Sequence, residues 1–404
     1  MYRQFARLIL VLFGISGIAL DGQEFKVLSR TVQVHGFVSQ GIASTNDNNW
    51  LTMNTSSGSA AMTDMGVNMS VPITDRLRIG AQVYDRDLGE LGQWHPSLDW
   101  GVADYRFKDW LDFRGGKVKT VAGLYTDTQD LDFLRPFALL PQSVYPIDLR
   151  DATLGHLGAD VYGRFPVGDR IGSLAYTVFA GHRSDSLHSG YPYLLSQWEQ
   201  VKSYGGLQYG GDLRWTTAVK GLLLGASRIN EDLTSKGEAT IQVDGREIQG
   251  PVLAHTRKNW ANQFYGQYTR GRWRLDSEFR RFYADISASY LGIPHNSFQD
   301  ARGWYVAGAY RAAPWLQLGS YYSRYTVASS EGGTDRSKPG NHVFDKVAAA
   351  RVDLNRFWNV KVEGHFMDGT GNRGVYPAGF YPQQNANGFQ RNTTALVVKT
   401  SFSF

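Results

Sequence analysis

The 404-residue sequence contains no cysteine at all. That absence removes a disulfide scaffold, a thiolate zinc site, a cysteine nucleophile and an iron–sulfur cluster. Past the N-terminal leader there is no run of about 18 apolar residues, so membrane-spanning helices are excluded. The mean hydropathy of −0.34 reads like that of a water-soluble chain. A barrel crossing a membrane on strands escapes this test, because half of its strand residues face water. A large excess of one charge is also missing. The formal +5 falls to +3 once Arg3 and Arg7 of the leader are set aside, leaving 40 basic against 37 acidic residues. Nucleic acid as a partner has no support in so even a balance. There is no His-Glu-x-x-His helix motif and no Asp-rich calcium loop, so no metal and no cofactor are expected. Glycine (45) and aromatic residues (22 Tyr, 21 Phe, 11 Trp) are plentiful instead.

The N-terminus points to export. Met1–Arg7 carries two arginines and no acid, Leu8–Ile18 is almost wholly apolar, and Gly17 and Ala19 precede a possible cleavage before Leu20. This is the layout of a secretory signal. An anchor helix is the alternative, but ~11 apolar residues fall short of a ~30 Å hydrocarbon core. Residues 1–19 are therefore read as a signal peptide, and residues 20–404 as one domain without linker or composition shift.

What recurs after the leader is period-two alternation over about ten residues, ended by turn residues. The clearest case is Arg272–Phe282. Trp273, Leu275, Ser277 and Phe279 fall on one face, and Arg272, Arg274, Asp276, Glu278 and Arg280 on the other. A strand between lipid and a wet lumen satisfies both faces. The same pattern marks Val32–Gln40, Met65–Ile73, Leu77–Arg86, Leu98–Phe107, Phe113–Gly123, His156–Phe165, Ser173–His182, Tyr204–Thr217, Leu222–Ile229 and Trp260–Arg270. It returns at Gly303–Arg311, Trp315–Thr326, Phe344–Leu354, Trp358–Met367 and Thr393–Phe404, making sixteen strands in all.

Between these strands, short and long connections alternate. Seven short turns (such as Thr74–Arg76 and Asn355–Phe357) and eight long loops put both chain ends on the short-turn side. Trp110, Trp215, Trp273, Trp315 and Trp358 lie within about three residues of the short turns, as an interfacial girdle requires. At the C-terminus, Phe404, Phe402, Thr400, Val398 and Leu396 share one face. The fold expected is all-β: a transmembrane antiparallel β-barrel of 16 strands, with short periplasmic turns and long external loops.

By this architecture the whole mature chain resembles the sixteen-stranded bacterial porins. A local likeness is Arg114-Gly-Gly-Lys-Val-Lys-Thr-Val-Ala-Gly-Leu-Tyr125, continued by Leu134-Arg-Pro-Phe-Ala-Leu-Leu-Pro-Gln-Ser-Val-Tyr145. It looks like the strand and inward third loop of porins related to the phosphate-selective type. Thr120 and Val121 stand where that family has an apolar-Pro step, and the Pro-Glu-Phe loop signature of general porins is missing. The resemblance implies a Gram-negative outer-membrane location and a homotrimer. It implies a water-filled channel for passive diffusion of small hydrophilic solutes and ions, with no bond chemistry. Its partners would be outer-membrane lipid and the barrel assembly machinery, for which Phe402 and Phe404 look like the C-terminal assembly signal.

In a pore, width and constriction charge set function. Leu124–Gly155 is the longest connection, and Phe133, Phe137, Leu139, Leu140 and Tyr145 argue that it folds inward. It carries Asp127, Asp130, Asp132, Asp148 and Asp151 against Arg135 and Arg150. Facing it, Arg78, Lys117, Lys119, Arg272, Arg274 and Arg280 are read as lumen-lining cations, giving a transverse field and a modest anion preference. Two other classes of function stand beside a channel. The nine histidines are scattered with no serine motif beside them, so an enzyme is not expected. A non-conducting barrel serving as surface receptor, adhesin or structural protein is the alternative to a channel.

Overall fold

The computed structural model describes residues 23–27, 30–243, 246–374 and 378–404; the expected signal peptide lies outside them. A short strand β1 (Gln23–Val27) precedes sixteen barrel strands. These are β2 (Arg30–Thr45), β3 (Ser59–Pro72), β4 (Leu77–Leu88), β5 (Ser97–Lys108), β6 (Leu111–Lys119), β7 (Gly155–Gly168), β8 (Gly172–Ser184) and β9 (Gln200–Thr217). The circuit continues through β10 (Leu222–Val243), β11 (Arg246–Arg270), β12 (Trp273–Tyr290), β13 (Ile293–Ala313), β14 (Leu316–Ser329), β15 (His342–Asp353), β16 (Trp358–Asp368) and β17 (Asn392–Ser403). Each pairs antiparallel with its sequence neighbours, and β17 returns to β2 from Ala395↔Thr45 to Ser403↔Phe37. All sixteen expected strands are present. Closure leaves no free sheet edge, which a barrel in lipid requires.

Alternation explains why these segments are strands. Along β12, Trp273, Leu275 and Phe279 lie exposed on the outer wall, while Asp276 and Glu278 are buried inside. The Trp ring is equally physical: Trp110, Trp273, Trp315 and Trp358 all stand exposed beside the short turns. At the seam, Phe404 exchanges backbone hydrogen bonds with Gly36 (2.9 and 3.1 Å). The Phe404 ring lies over Gly36, where a Cβ would come within 2.5 Å of it, so a larger residue there would push the ring aside. β1 folds back on the lower end of β2, Gln23↔Val34 to Val27↔Arg30.

Two expectations need correction. The segments Asn230–Asn259 and Tyr283–Arg302, read as long loops, are largely strand: β10 and β11 stay paired up to Val243↔Arg246, and β12 and β13 up to Tyr290↔Ile293. The last turn is Leu291–Gly292, both at positive φ (52° and 85°), as a tight hairpin demands. Above the membrane both faces of a strand meet water, so the apolar alternation that marks a spanning strand fades while the ladder continues. The expected strand Phe113–Gly123 stops at Lys119. The chain there leaves the wall and enters the lumen.

Candidate pore constriction

Residues 120–154 fill the middle of the barrel. The turn inward starts at Thr120, whose N–H bonds Leu154 O (2.8 Å) and whose hydroxyl meets His156 and Gln208 (both 3.1 Å). Gly123, at φ +63°, presses so close to the far wall that a Cβ would lie 2.0 Å from Gln263 Nε2. Three single 3₁₀ turns follow, at Thr126–Thr128, Asp132–Leu134 and Ile147–Leu149, and then helix α1 (Arg150–Leu154). Phe137, Leu139, Leu140 and Tyr145 are buried, as their composition suggested. Leu139 and Leu149 pack into one cluster with Trp50 and Leu51 of the first external loop and Phe380 of the last.

The segment is fastened to the wall on three sides. On β16 and β17, Lys361 Nζ donates to Asp132 O (2.5 Å) and Phe137 O (3.1 Å) and pairs with the Asp132 carboxylate (3.1 Å). Lys399 (3.8 Å) and the Ser401 hydroxyl also converge on Asp132. The Glu363 carboxylate accepts from the N–H groups of Ala138 (2.6 Å) and Leu139 (3.1 Å), and Arg351 of β15 donates to Phe133 O (2.6 Å) and Arg135 O (2.9 Å). On β11–β13, Glu278 accepts from the hydroxyls of Tyr145 (2.7 Å) and Tyr305 (2.6 Å), from Gln263 (2.7 Å) and from Leu124 N–H (3.1 Å). On β4–β6, Asp130 meets Lys119 (2.7 Å) and Gln82 (2.6 Å), and Arg86 donates to Ile147 O (2.8 Å). Charge-assisted bonds of this kind are worth roughly 1.5–3 kcal/mol each when buried. Burial alone would raise the carboxyls of Asp132 and Asp130. The surrounding Lys361, Lys399 and Arg135 hold Asp132 well below the usual range, and Lys119 and Arg150 lower Asp130.

The expected transverse field is therefore not what the loop charges form. Asp132 also holds Arg135 (3.1 Å), Arg150 pairs with Asp99 (2.9 Å) over the Tyr84 ring, and Asp151 lies 3.6 Å from Arg86. Asp127 is 3.6 Å from Arg214, and Asp148 accepts from the Tyr381 hydroxyl (2.7 Å). Acid and base meet in contact rather than across water. The loop is docked by its charges, which largely cancel.

The cations read as lining the lumen divide accordingly. Arg274 is tied to Asp276 (2.9 Å), and Arg272 stands exposed in the turn below β12. Arg78 is exposed at the periplasmic end, 3.7 Å from Asp104, which Arg114 approaches to 3.3 Å. Lys117 is a correction: it is the cross-strand partner of Leu157, an exposed outer-wall leucine, and so lies on the outer face. Its amine donates to Leu98 O (2.5 Å). Gly115 and Gly116 carry no side chain to mark the faces, whereas Asp112, Arg114 and the buried Val118 fix the even positions as inward; Lys119 departs from this parity because the strand ends there, and its amine reaches Asp130 (2.7 Å). Of these cations, Arg280 meets a space free of acid among the described residues. A narrow space beside the loop is lined by Arg280, Tyr191, Tyr325, Gln142, Gln299 and Phe282, among others, with no carboxylate. A second narrow space shares Arg280 and Tyr191 and adds Arg183 with Glu231, already paired at 2.7 Å. Arg280 donates to Val144 O (3.1 Å) and has no ion pair among the described residues. Tyr191, on helix α2 (Gly190–Leu195) of the fourth external loop, was outside any sequence signal.

No family model and no curated protein matches the sequence. Solved structures do. The fold is similar to outer-membrane expressed OmpT of Vibrio cholerae (TM-score 0.58, 13% identity, covering 95% of this chain and 100% of that one). It is similar to an anion-selective porin from Comamonas acidovorans (0.56, 11%, 93% and 100%). The outer membrane channel DcaP of Acinetobacter baumannii is a third (0.53, 12%, 95% and 100%). The chain has the fold of the outer-membrane porins. At these identities the likeness carries the fold alone. The porin-type barrel, with its outward apolar belt and aromatic girdle, is an outer-membrane structure.

Proposed function

We propose that this chain is a porin, a water-filled channel through which small hydrophilic solutes and ions diffuse passively, with no bond chemistry. The observation that carries the reading is the loop pinned across a charged lumen inside a wall that is apolar outside. Such a fixed constriction limits size, and the solute passes beside the loop, along the spaces next to Arg280. The preference is for anions. Arg280 faces the spaces beside the loop, where the one lining carboxylate among the described residues, Glu231, is already paired with Arg183, and at the periplasmic end the inward side chains Arg78, Arg106, Arg114 and Arg164 outnumber Asp104, Asp112 and Asp160. Charges converging in a narrow lumen act together over the ~10 Å Debye length of 0.1 M salt. The reversal potential in a salt gradient tests this. An anion-selective parent supports it; a cation-selective one sinks the preference and leaves the channel standing.

A homotrimer is part of the same proposal, supported by a trimer form of the V. cholerae OmpT. Phe402 and Phe404 are proposed to address the barrel to the assembly machinery, being the outward aromatics that end the closing strand. Deleting Phe404 should leave secreted protein that fails to acquire the heat-modifiable mobility of a folded barrel. Normal folded yield would remove that role.

A further inference from the structure

The inward loop turns an apolar edge toward the periplasm, in a lumen rich in charge. Its 3₁₀ turn Asp132–Leu134 is held to the wall by polar atoms: Asp132 by Lys361 (3.1 Å) and the Ser401 hydroxyl, and the Phe133 carbonyl by Arg351 (2.6 Å). The side chains of Leu131, Phe133 and Leu134 are left to line a recess, and Leu134 is 62% exposed. Across from them runs the seam of β2 and β17. There Ser39 and Ser401 are buried cross-strand partners, so alternation puts Phe37 and Ser403, the next pair down, on the same inward face. Ser403 N–H bonds Phe357 O of a short turn (2.9 Å), which places the recess near the periplasmic mouth.

The recess has a volume of about 190 Å³. An apolar cavity of about 150 Å³ already holds benzene. The Phe37 ring bounds it by lying over its cross-strand partner Gly66, where a Cβ would come 2.6 Å from the ring and displace it. The charges around the recess are engaged with one another. Asp132 is met by Lys361 (3.1 Å), Arg135 (3.1 Å) and Lys399 (3.8 Å), Lys399 also by Asp64 (3.0 Å), and Arg351 by Asp353 (2.7 Å). A carboxylate entering here would meet Asp132 with those cations already taken, and an ammonium would find Asp132 already neutralised. A charged group would lose its hydration and gain no partner.

We propose that this recess binds a small uncharged aromatic molecule of the phenol class, its ring between Phe37, Leu131 and Leu134 and its hydroxyl at Ser403. Burying a ring against Phe37 and Phe133 adds the edge and face preferences of aromatic pairs to the gain from covering Leu134. The lumen thereby holds a solute that its charges ignore. The inference needs the loop docked as described, and not a channel that conducts.

Fluorine NMR of 4-fluorophenol with the full protein in lipid nanodiscs tests it. The parent should broaden the signal, excess phenol should restore it, and benzoate should compete at least tenfold more weakly than phenol, a comparison that needs no variant. Leu134→Asp changes an exposed side chain, so the barrel should keep its heat-modifiable mobility while the affinity for 4-fluorophenol falls at least tenfold. Leu134→Met should bind within about twofold of the parent. Broadening that excess phenol does not relieve is partition into the lipid, and would overturn the site. Benzoate competing as well as phenol would overturn it by marking an anion site, and so would a folded Leu134→Asp that binds like the parent. None of these outcomes bears on conductance, which is measured separately in a planar bilayer.

Discussion

The β15–β17 wall and the upper part of β12 face the same lumen and are both charged, yet they use charge differently. On the first, Arg351, Lys361, Glu363 and Lys399 are all buried and all but Lys399 also grip backbone of the inward loop. On the second, Glu278 holds the loop, while Arg280, two residues further up the same face, gives the loop a single bond at Val144 O and otherwise looks into a space with no acid. Alternation puts a side chain inside a barrel, but what stands opposite decides its work. A charge facing backbone and carboxylates is an anchor; a charge facing water acts on passing ions.

The largest effect should follow from breaking an anchor. Asp132→Ala leaves Lys361 and Lys399 buried with a partner removed, and orphaning a buried charge costs about 3–5 kcal/mol. The unfolding midpoint in detergent should drop, and the conductance of surviving channels should rise as the segment loosens. An unchanged midpoint and conductance would mean that the β16–β17 contacts fasten nothing. Next comes Arg280→Glu, which should move the reversal potential several-fold in permeability ratio toward cations while lowering the unfolding midpoint less than Asp132→Ala does, since only the bond to Val144 O is lost. A midpoint that falls as far as in Asp132→Ala would erase the distinction between the two walls.

A smaller effect separates the walls by pH. The folded Asp132 carboxyl titrates below its ordinary value near 3.8 because Lys361, Lys399 and Arg135 outweigh burial. A depressed carboxyl stabilises fully above its ordinary value, and that stabilisation drains away as pH falls toward the folded one. Channel conductance should therefore hold from pH 7 to about 4.5 and change only in stronger acid. A step between pH 5 and 6 would contradict that anchoring. The smallest effect is expected at Lys117→Glu: on the outer face beside Leu157, it should leave ion selectivity unchanged, as measured by reversal potential.

The barrel was legible because lipid and water impose opposite demands on alternate residues, so β12 declares its register from Trp273 to Arg280. The inward loop was legible from its length and its buried aromatics. The outward face of Lys117 is hidden in the sequence because Gly115 and Gly116 erase the face markers between it and Arg114. The tall β10–β13 wall escaped because strands above the membrane have no apolar face to show. The anchoring itself could not be read locally. Lys361 and Asp132 lie 229 positions apart in sequence, and only closure of the barrel brings them together.

The most direct test of the channel is the purified protein in a planar lipid bilayer. The prediction is stepwise conductance arriving in groups of three, with larger steps for Asp132→Ala than for the parent. A correctly folded, heat-modifiable barrel that inserts and stays electrically silent would contradict it and favour a surface receptor, adhesin or structural role.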